Sequence, residues 1–263
     1  MDHCELWQGD CLELMQNISP GSIDMILCDL PYGKTQCGWD KPLPIDQLWD
    51  EYKRVIKPTG AIVLFGQEPF ASQLRTSNLA WYKYDWIWRK PRGTGHLNAK
   101  KQPLRDMETI SVFYQRQCTY NPQLSPGEPY TNKSGKTPKL VTTGKTTYGT
   151  YMDGNAYRNP NSGFRYPKQV IEFGVVERGT IHQTQKPVPL LEYLIKTYTS
   201  ERERVLDNCM GSGSTAIACL NTNRDFIGIE IDPEIYQLAK GRVEQWQNQK
   251  SLSTSNSTTA SSP

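Results

Sequence analysis

Residues 204–215 read Arg-Val-Leu-Asp-Asn-Cys-Met-Gly-Ser-Gly-Ser-Thr, and the reading of this stretch decides the fold class. The short apolar run Arg204–Asp207 predicts a strand, Gly211-x-Gly213 a tight turn, and the residues from about Ser214 to Leu220 a helix. The two glycines permit backbone conformations and a close ligand approach that side chains block. Ser214 and Thr215 fall where a helix N-terminus leaves N–H groups unpaired. Phe226–Glu230 predicts the next strand, and its terminal carboxylate can accept hydrogen bonds from two ribose hydroxyls. A strand–turn–helix–strand unit of this kind suits any adenosine-bearing cofactor and does not by itself distinguish one from another.

The same alternation continues outward. Ile23–Cys28 and Ala61–Phe65 predict buried strands, and Tyr84–Trp88 and Thr109–Tyr114 two more. Helical spacing of apolar residues marks 45–57, 69–79, 190–198 and 235–246. Strands alternating with helices imply a mostly parallel sheet covered on both faces. Between 116 and 181 apolar runs nearly vanish and Gly, Pro, Asn, Thr and Tyr dominate, so one α/β domain is interrupted by an irregular insert. The expected organisation is 1–115 and 182–249 as two halves of that domain, 116–181 as the insert, and 250–263, almost all Ser, Thr, Asn and Ala, as a disordered tail.

Composition narrows the function classes. The 263 residues are 37% apolar and 22% charged, which excludes wholesale disorder. The net charge of +3 says little about partners until its distribution is read. No run reaches the roughly 18 apolar residues of a membrane span, and Met1–Asp10 lacks the pattern of a secretory signal. Seven scattered cysteines, without a CxxC or a Cys/His cluster, predict reduced thiols in a cytoplasmic protein, with neither a disulfide framework nor a metal site.

A second chemical motif stands at the end of the strand predicted at 23–28. Asp29-Leu-Pro-Tyr32 occupies the carboxyl end, where open α/β sheets bind ligands. An exocyclic base amine is a poor nucleophile because its lone pair is conjugated with the ring. Two acceptors aimed at the amine hydrogens favour sp³-like geometry and free that lone pair. Asp29 can supply one acceptor, and the carbonyl of Leu30 or Pro31 the other. Tyr32 offers a face on which an extruded base can stack, worth about 1–3 kcal/mol.

Taken together, the Asp29-Leu-Pro-Tyr32 loop and the Asp207-Asn-Cys-Met-Gly-Ser-Gly213 turn resemble the motifs of amino-group DNA methyltransferases. The catalytic loop precedes the cofactor turn with the insert between, which is the circularly permuted β-class order. Gly9–Glu13, Trp88–Pro91 and His182-Gln-Thr-Gln-Lys-Pro187 match further family segments, so the resemblance spans about residues 5–246. It implies a Rossmann-like methyltransferase sheet and S-adenosylmethionine as cofactor. By the same resemblance Asp10 and Cys11 contact the adenine, and Lys186 pairs with the methionine carboxylate. Asp29, Asp207, Cys209, Gly211, Gly213, Ser214, Thr215, Glu230 and Ile231 complete the cofactor set. The chain departs from the family pattern at Leu30 and Gln183, where the family has Pro, and at Asn208-Cys209, where it has Pro-Phe. No Pro-Cys dipeptide occurs, so the thiolate chemistry of C5-cytosine methylation is excluded. Asp at the first position of the loop leans to adenine N6, with cytosine N4 as the alternative. Further rivals are an RNA-base or glutamine methyltransferase, in which the cofactor turn commonly comes first, and a non-catalytic nucleotide- or DNA-binding module.

Basic residues concentrate where nucleic acid would lie. Residues 75–105 hold eight Lys/Arg against one acid, and Arg89, Lys90, Arg92, Lys100, Lys101 and Arg105 are candidate phosphate contacts. At least two of Tyr84, Trp86 and Trp88 are expected in the sheet core instead. The insert carries nine Lys/Arg against four acids and six of the fourteen Tyr, and it occupies the family's target-recognition interval. Lys133, Lys136, Arg158 and Arg165 are its candidate DNA contacts. The resemblance implies duplex DNA as partner, no membrane, a bacterial or bacteriophage source, a homodimer, and a cognate restriction endonuclease acting on the same site.

Overall fold

All six residues of Ile23-Asp-Met-Ile-Leu-Cys28 are buried, because the strand they form lies inside a sheet covered on both faces. The computed structural model describes residues 4–33, 42–128, 144–146, 149–151, 163–175 and 185–258. In chain order the elements are β1 (Cys4–Gln8), α1 (Cys11–Met15), β2 (Ile23–Cys28), α2 (Ile45–Val55), β3 (Ile56–Gly66), α3 (Phe70–Ser77), β4 (Tyr82–Thr94), a 3₁₀ turn (His96–Asn98) and β5 (Arg105–Phe113). There follow β6 (Ser125–Pro126), β7 (Gly144–Thr146), β8 (Gly149–Tyr151), β9 (Phe164–Arg165), β10 (Val170–Glu172), α4 (Val188–Tyr198), β11 (Arg204–Asp207), α5 (Ser214–Asn221), β12 (Asp225–Glu230) and α6 (Pro233–Thr258).

Eight strands make one sheet in the order β1-β12-β11-β2-β3-β5-β4-β10. All pairings are parallel except those of β5, which runs antiparallel to β3 and β4. Alternation along the strands sorts the core into two layers. Met25, Leu27, Val63 and Phe65 face Leu190 and Leu194 of α4, Ala216 of α5 and Ala239 of α6. Ile26, Cys28, Ile62 and Leu64 face Met15 of α1, Leu48, Trp49 and Tyr52 of α2, and Leu74 of α3. Asp24, the polar member of β2, accepts hydrogen bonds from Lys57 Nζ at 2.6 Å and Arg204 N at 2.9 Å. The result is the expected Rossmann-like sheet with helices on both faces.

The differences from expectation have local causes. Strand β3 starts at Ile56, ahead of the expected Ala61, and Pro58 and Gly60 break it. The break is present as a register shift: Ile23 pairs with Ile56 and Met25 with Ala61, so residues 57–60 bulge out of the ladder. Strand β4 extends well past the expected 84–88, because β5 continues to pair with it. Trp86 and Trp88 are core residues, and their indole N–H groups donate to Tyr198 Oη and the Phe173 carbonyl. Strand β10 lies inside the interval 116–181 and joins the main sheet beside β4, too short to produce an alternation signal.

The chain divides into a unit of residues 1–121 and 168–263, and a smaller unit, Pro122–Pro167. The smaller unit holds two short antiparallel pairs, β6 with β9 and β7 with β8. Helix α6 continues to Thr258, into the stretch read as a disordered tail, since extending an existing helix requires no new nucleation.

Candidate active site

Strands β1, β12, β11, β2 and β3 point the same way, so the loops after them gather at one edge of the sheet. Strands β11 and β2 are neighbours there, and a cavity of about 490 Å³ opens at this edge. Its wall includes Gly9–Cys11 after β1, Asp29–Tyr32 after β2, Asp207–Ser212 after β11, and Glu230–Ile231 after β12. Small-molecule sites have volumes of roughly 300–1,000 Å³ and favour such topological junctions.

Asp29 is held from two sides. Tyr32 Oη donates to Oδ1 at 2.5 Å, and Lys186 Nζ lies 2.5 Å from Oδ2. Lys186 also pairs with Glu108 Oε1 at 2.9 Å, and the other oxygen of Glu108 pairs with Lys90 Nζ at 2.6 Å. Two carboxylates and two ammonium groups thus alternate into the interior beside the cavity. Burial disfavours the Lys186 ammonium, but Asp29 and Glu108 outweigh it and hold its pKa above the ordinary lysine range. Burial likewise opposes ionisation of Glu108, and Lys186 and Lys90 together bring it below the usual glutamate value. The Tyr32 ring packs on Phe70 with centroids 4.8 Å apart, and burial followed by the Asp29 charge raises its phenol well above 10. The Leu30 side chain is buried in the core, so packing anchors the loop where the family pattern has a proline.

The glycine turn divides its labour. Gly211 (φ +52°) has open space where a Cβ would stand, and its N–H donates to Glu230 Oε2 at 2.9 Å. Gly213 (φ +78°) packs its Cα against Ala239 of α6, and a Cβ there would lie 3.1 Å from that residue's Cβ. Glu230 Oε1 accepts from Asp232 N at 2.9 Å, leaving lone pairs on both oxygens, and burial raises the pKa of this carboxyl. Asp207 is buried behind the turn, accepting from Thr215 Oγ1 at 2.6 Å and Cys209 N at 3.2 Å. Burial outweighs those bonds and pushes its pKa up to about 6. Asp10 caps α1 through Leu12 N at 2.8 Å. The bond to Cys209 and burial raise the neighbouring Cys11 thiol, which is therefore neutral at physiological pH.

The structure brings all four loop residues, Asp29, Leu30, Pro31 and Tyr32, to the cavity wall, together with every cofactor candidate except Gly213. Gly213 lies against Ala239 of α6. Lys186 was expected to face a ligand carboxylate; its Nζ faces the half-buried Asp29 and the buried Glu108, whose carboxylate needs a counter-charge. Lys90 turns inward to Glu108 rather than outward to solvent. Arg89 is exposed and pairs with Glu172 at 3.3 Å, while Arg92, Lys100, Lys101 and Arg105 are exposed. Arg165 donates to the carbonyls of Glu128 and Phe164 inside the smaller unit. Lys133, Lys136 and Arg158, as well as His182–Thr184, lie outside the described residues. Glu108 was missed from sequence; its signal was an acid just before the apolar run Ile110–Phe113, two residues after Asp106 and soon after a basic stretch.

The model of the DNA methylase family that covers N6 and N4 enzymes matches residues 23–241. The chain belongs to this family. It is an S-adenosylmethionine-dependent amino-group DNA methyltransferase. It is 27% identical over 254 residues to the type II methyltransferase M.HpaI of Haemophilus parainfluenzae, covering 90% of this chain and 73% of that one. It is 28% identical over 250 residues to the DNA adenine methyltransferase YhdJ of Escherichia coli K12, covering 90% and 81%. Among solved structures it is similar to the M1.HpyAVI–SAM complex, with a TM-score of 0.60 and 24% identity over 91% of this chain and 99% of that one. The methylase has, among its described residues, no helix long and apolar enough to cross a membrane.

Proposed function

We propose that this methylase acts on adenine N6 in duplex DNA at specific sites. The observation that carries the reading is Asp29: an acidic first residue of the loop, fixed by Tyr32 and Lys186 on the wall of a cavity that Gly211 and Glu230 also line. The residues present fit the cofactor. The Glu230 carboxylate lies on the cavity wall with lone pairs for ribose hydroxyls, and the open space at Gly211 lets backbone approach the ligand. Asp10 and Cys11 border the same cavity and are the candidates for the adenine end. S-adenosylmethionine, when bound, supplies a methyl group on a positively charged sulfur that is its own leaving group.

The protein's part is binding and positioning. Asp29 and the Leu30 or Pro31 carbonyl accept the two amine hydrogens and turn the nitrogen lone pair toward the methyl group. Lys186 holds Asp29 in place through its contact with Oδ2. The Tyr32 ring receives the extruded base. No nucleophilic side chain is needed, which agrees with the raised pKa of the Cys11 and Cys209 thiols on the cavity wall. YhdJ is named for adenine, and its alignment with this chain supports the choice of base.

The test is direct. Purified protein is incubated with S-adenosylmethionine and unmethylated genomic DNA, and the digested nucleosides are separated by mass spectrometry. N6-methyladenine is the expected product, and Asp29→Ala abolishes it. N4-methylcytosine would keep the mechanism and overturn the choice of base. Methylated RNA with unmodified DNA would overturn the substrate. The homodimer and a cognate restriction endonuclease are tested by sedimentation and by protection of modified DNA from cleavage.

A further inference from the structure

The hairpin joining β4 to β5 is the outlying feature of the catalytic edge. Strand β4 runs parallel to β3 and β2, since β5 is antiparallel to both β3 and β4. The β4–β5 turn therefore stands on the same edge as Asp29. Trp88 pairs with Glu108, the partner of Lys186, and the ladder still pairs Thr94 with Arg105. At about 3.3 Å per residue, with a bulge between, the arm reaches roughly 15–20 Å beyond the level of Glu108. A 3₁₀ turn, His96–Asn98, forms its tip after Gly95 (φ +93°).

At that tip Leu97 is fully exposed, with a relative exposure of 102%. Isolated exposed leucines are ordinary on protein surfaces. This one is set on a two-stranded arm beside exposed Arg92, Lys100, Lys101 and Arg105, and residues 89–105 contain no acid at all. Like charge disfavours a second copy of the same arm as its occupant, and it favours a polyanion. An apolar side chain has no use for phosphates. It has a use where a base has left the stack, because there it covers apolar faces that would otherwise meet water.

We infer that Leu97 is a wedge that enters the duplex at the position vacated by the target base, while Arg92, Lys100, Lys101 and Arg105 grip the flanking phosphates. The inference rests on the reading that the methylase modifies a base extruded from duplex DNA.

The test compares wild type, Leu97→Ala and Leu97→Met on synthetic duplexes carrying the site first mapped by sequencing methylated genomic DNA. One duplex is fully paired and one has an abasic position opposite the target, whose base is then already free. A third carries 2-aminopurine at the target to report extrusion by fluorescence. Leu97→Ala is expected to lose 10- to 100-fold in kcat/KM on the paired duplex, less than 3-fold on the abasic one, and most of the fluorescence rise. Leu97→Met should stay within 3-fold of wild type on all three. Equal activity of Leu97→Ala and wild type on the paired duplex overturns the wedge and leaves the methylase reading intact. So does an equal loss on both duplexes, which marks general binding, or a loss that tracks a change in sedimentation, which marks contact between copies. Wild type that methylates no DNA overturns both readings.

Discussion

Lys186→Met tests the alternating charge cluster, because it removes the one cation shared by two acids. In the wild type Lys186 Nζ lies 2.5 Å from Asp29 Oδ2 and 2.9 Å from Glu108 Oε1, and the Glu108 side chain is only 2% exposed. Breaking a buried pair by removing one partner costs about 3–5 kcal/mol. For a domain of this size that lowers Tm by roughly 6–20 °C, at about 2–4 °C per kcal/mol. The loss should depend on pH, and its sign follows from Glu108. In the wild type the Glu108 pKa is below its ordinary 4.5, so its contribution is present above that value and lost as pH falls through the folded pKa. Without Lys186, burial is opposed by Lys90 alone and the pKa rises above 4.5. The contribution is then present at low pH and lost as pH rises. The deficit of Lys186→Met should therefore widen between pH 5 and pH 8 in urea-denaturation curves. Adding Glu108→Gln removes the unpaired carboxylate, so the double variant should recover about 1.5 kcal/mol or more relative to the sum of the singles. Additive losses within about 0.5 kcal/mol, together with a deficit that does not change with pH, would falsify the cluster as the organiser of Asp29.

Further expectations follow from single residues. Gly211→Ala places a methyl in the open space of the cavity and should weaken S-adenosylmethionine binding at least 10-fold by calorimetry. Its stability cost should be about 1–2 kcal/mol from the left-handed backbone alone. Gly213→Ala meets Ala239 as well and should cost clearly more stability than Gly211→Ala in denaturant titrations. The raised pKa of Asp207, about 6, makes its contribution to stability full below its ordinary 3.8 and lost as pH climbs through 6. That is a decline on the order of 3 kcal/mol between pH 4 and 6.5, and Asp207→Asn should flatten it. Arg92→Ala and Lys100→Ala should each reduce the slope of log affinity for DNA against log salt by about 1. Lys90→Ala should leave that slope unchanged and lower Tm, since Lys90 faces Glu108; an unchanged Tm with a reduced slope would place Lys90 on the DNA.

Much of the site was legible because its chemistry is local. Gly211-x-Gly213 after an apolar run, Glu230 at the end of the next, and Asp29-Leu-Pro-Tyr32 after a third are each set by a few adjacent residues. Parallel-strand topology carries such strand ends to one edge without further instruction. The Trp86 and Trp88 core positions followed from alternation in the same way. Strands such as β1 and β10 were not legible: each is short, and its partners supply the order that its own composition does not.

What only the tertiary structure decided is who faces whom. Lys186 and Asp29 are separated by 157 positions and Glu108 comes from a third element, so no spacing rule reports their contact. Which glycine faces open space and which a helix depends on where α6 lands. Whether a lysine in a basic stretch points at solvent or at a buried acid depends on the register of β4 against β5. Local sequence sets the backbone at each strand end, but a buried charge takes its partner from whatever packing brings within reach, and that is a property of the whole fold.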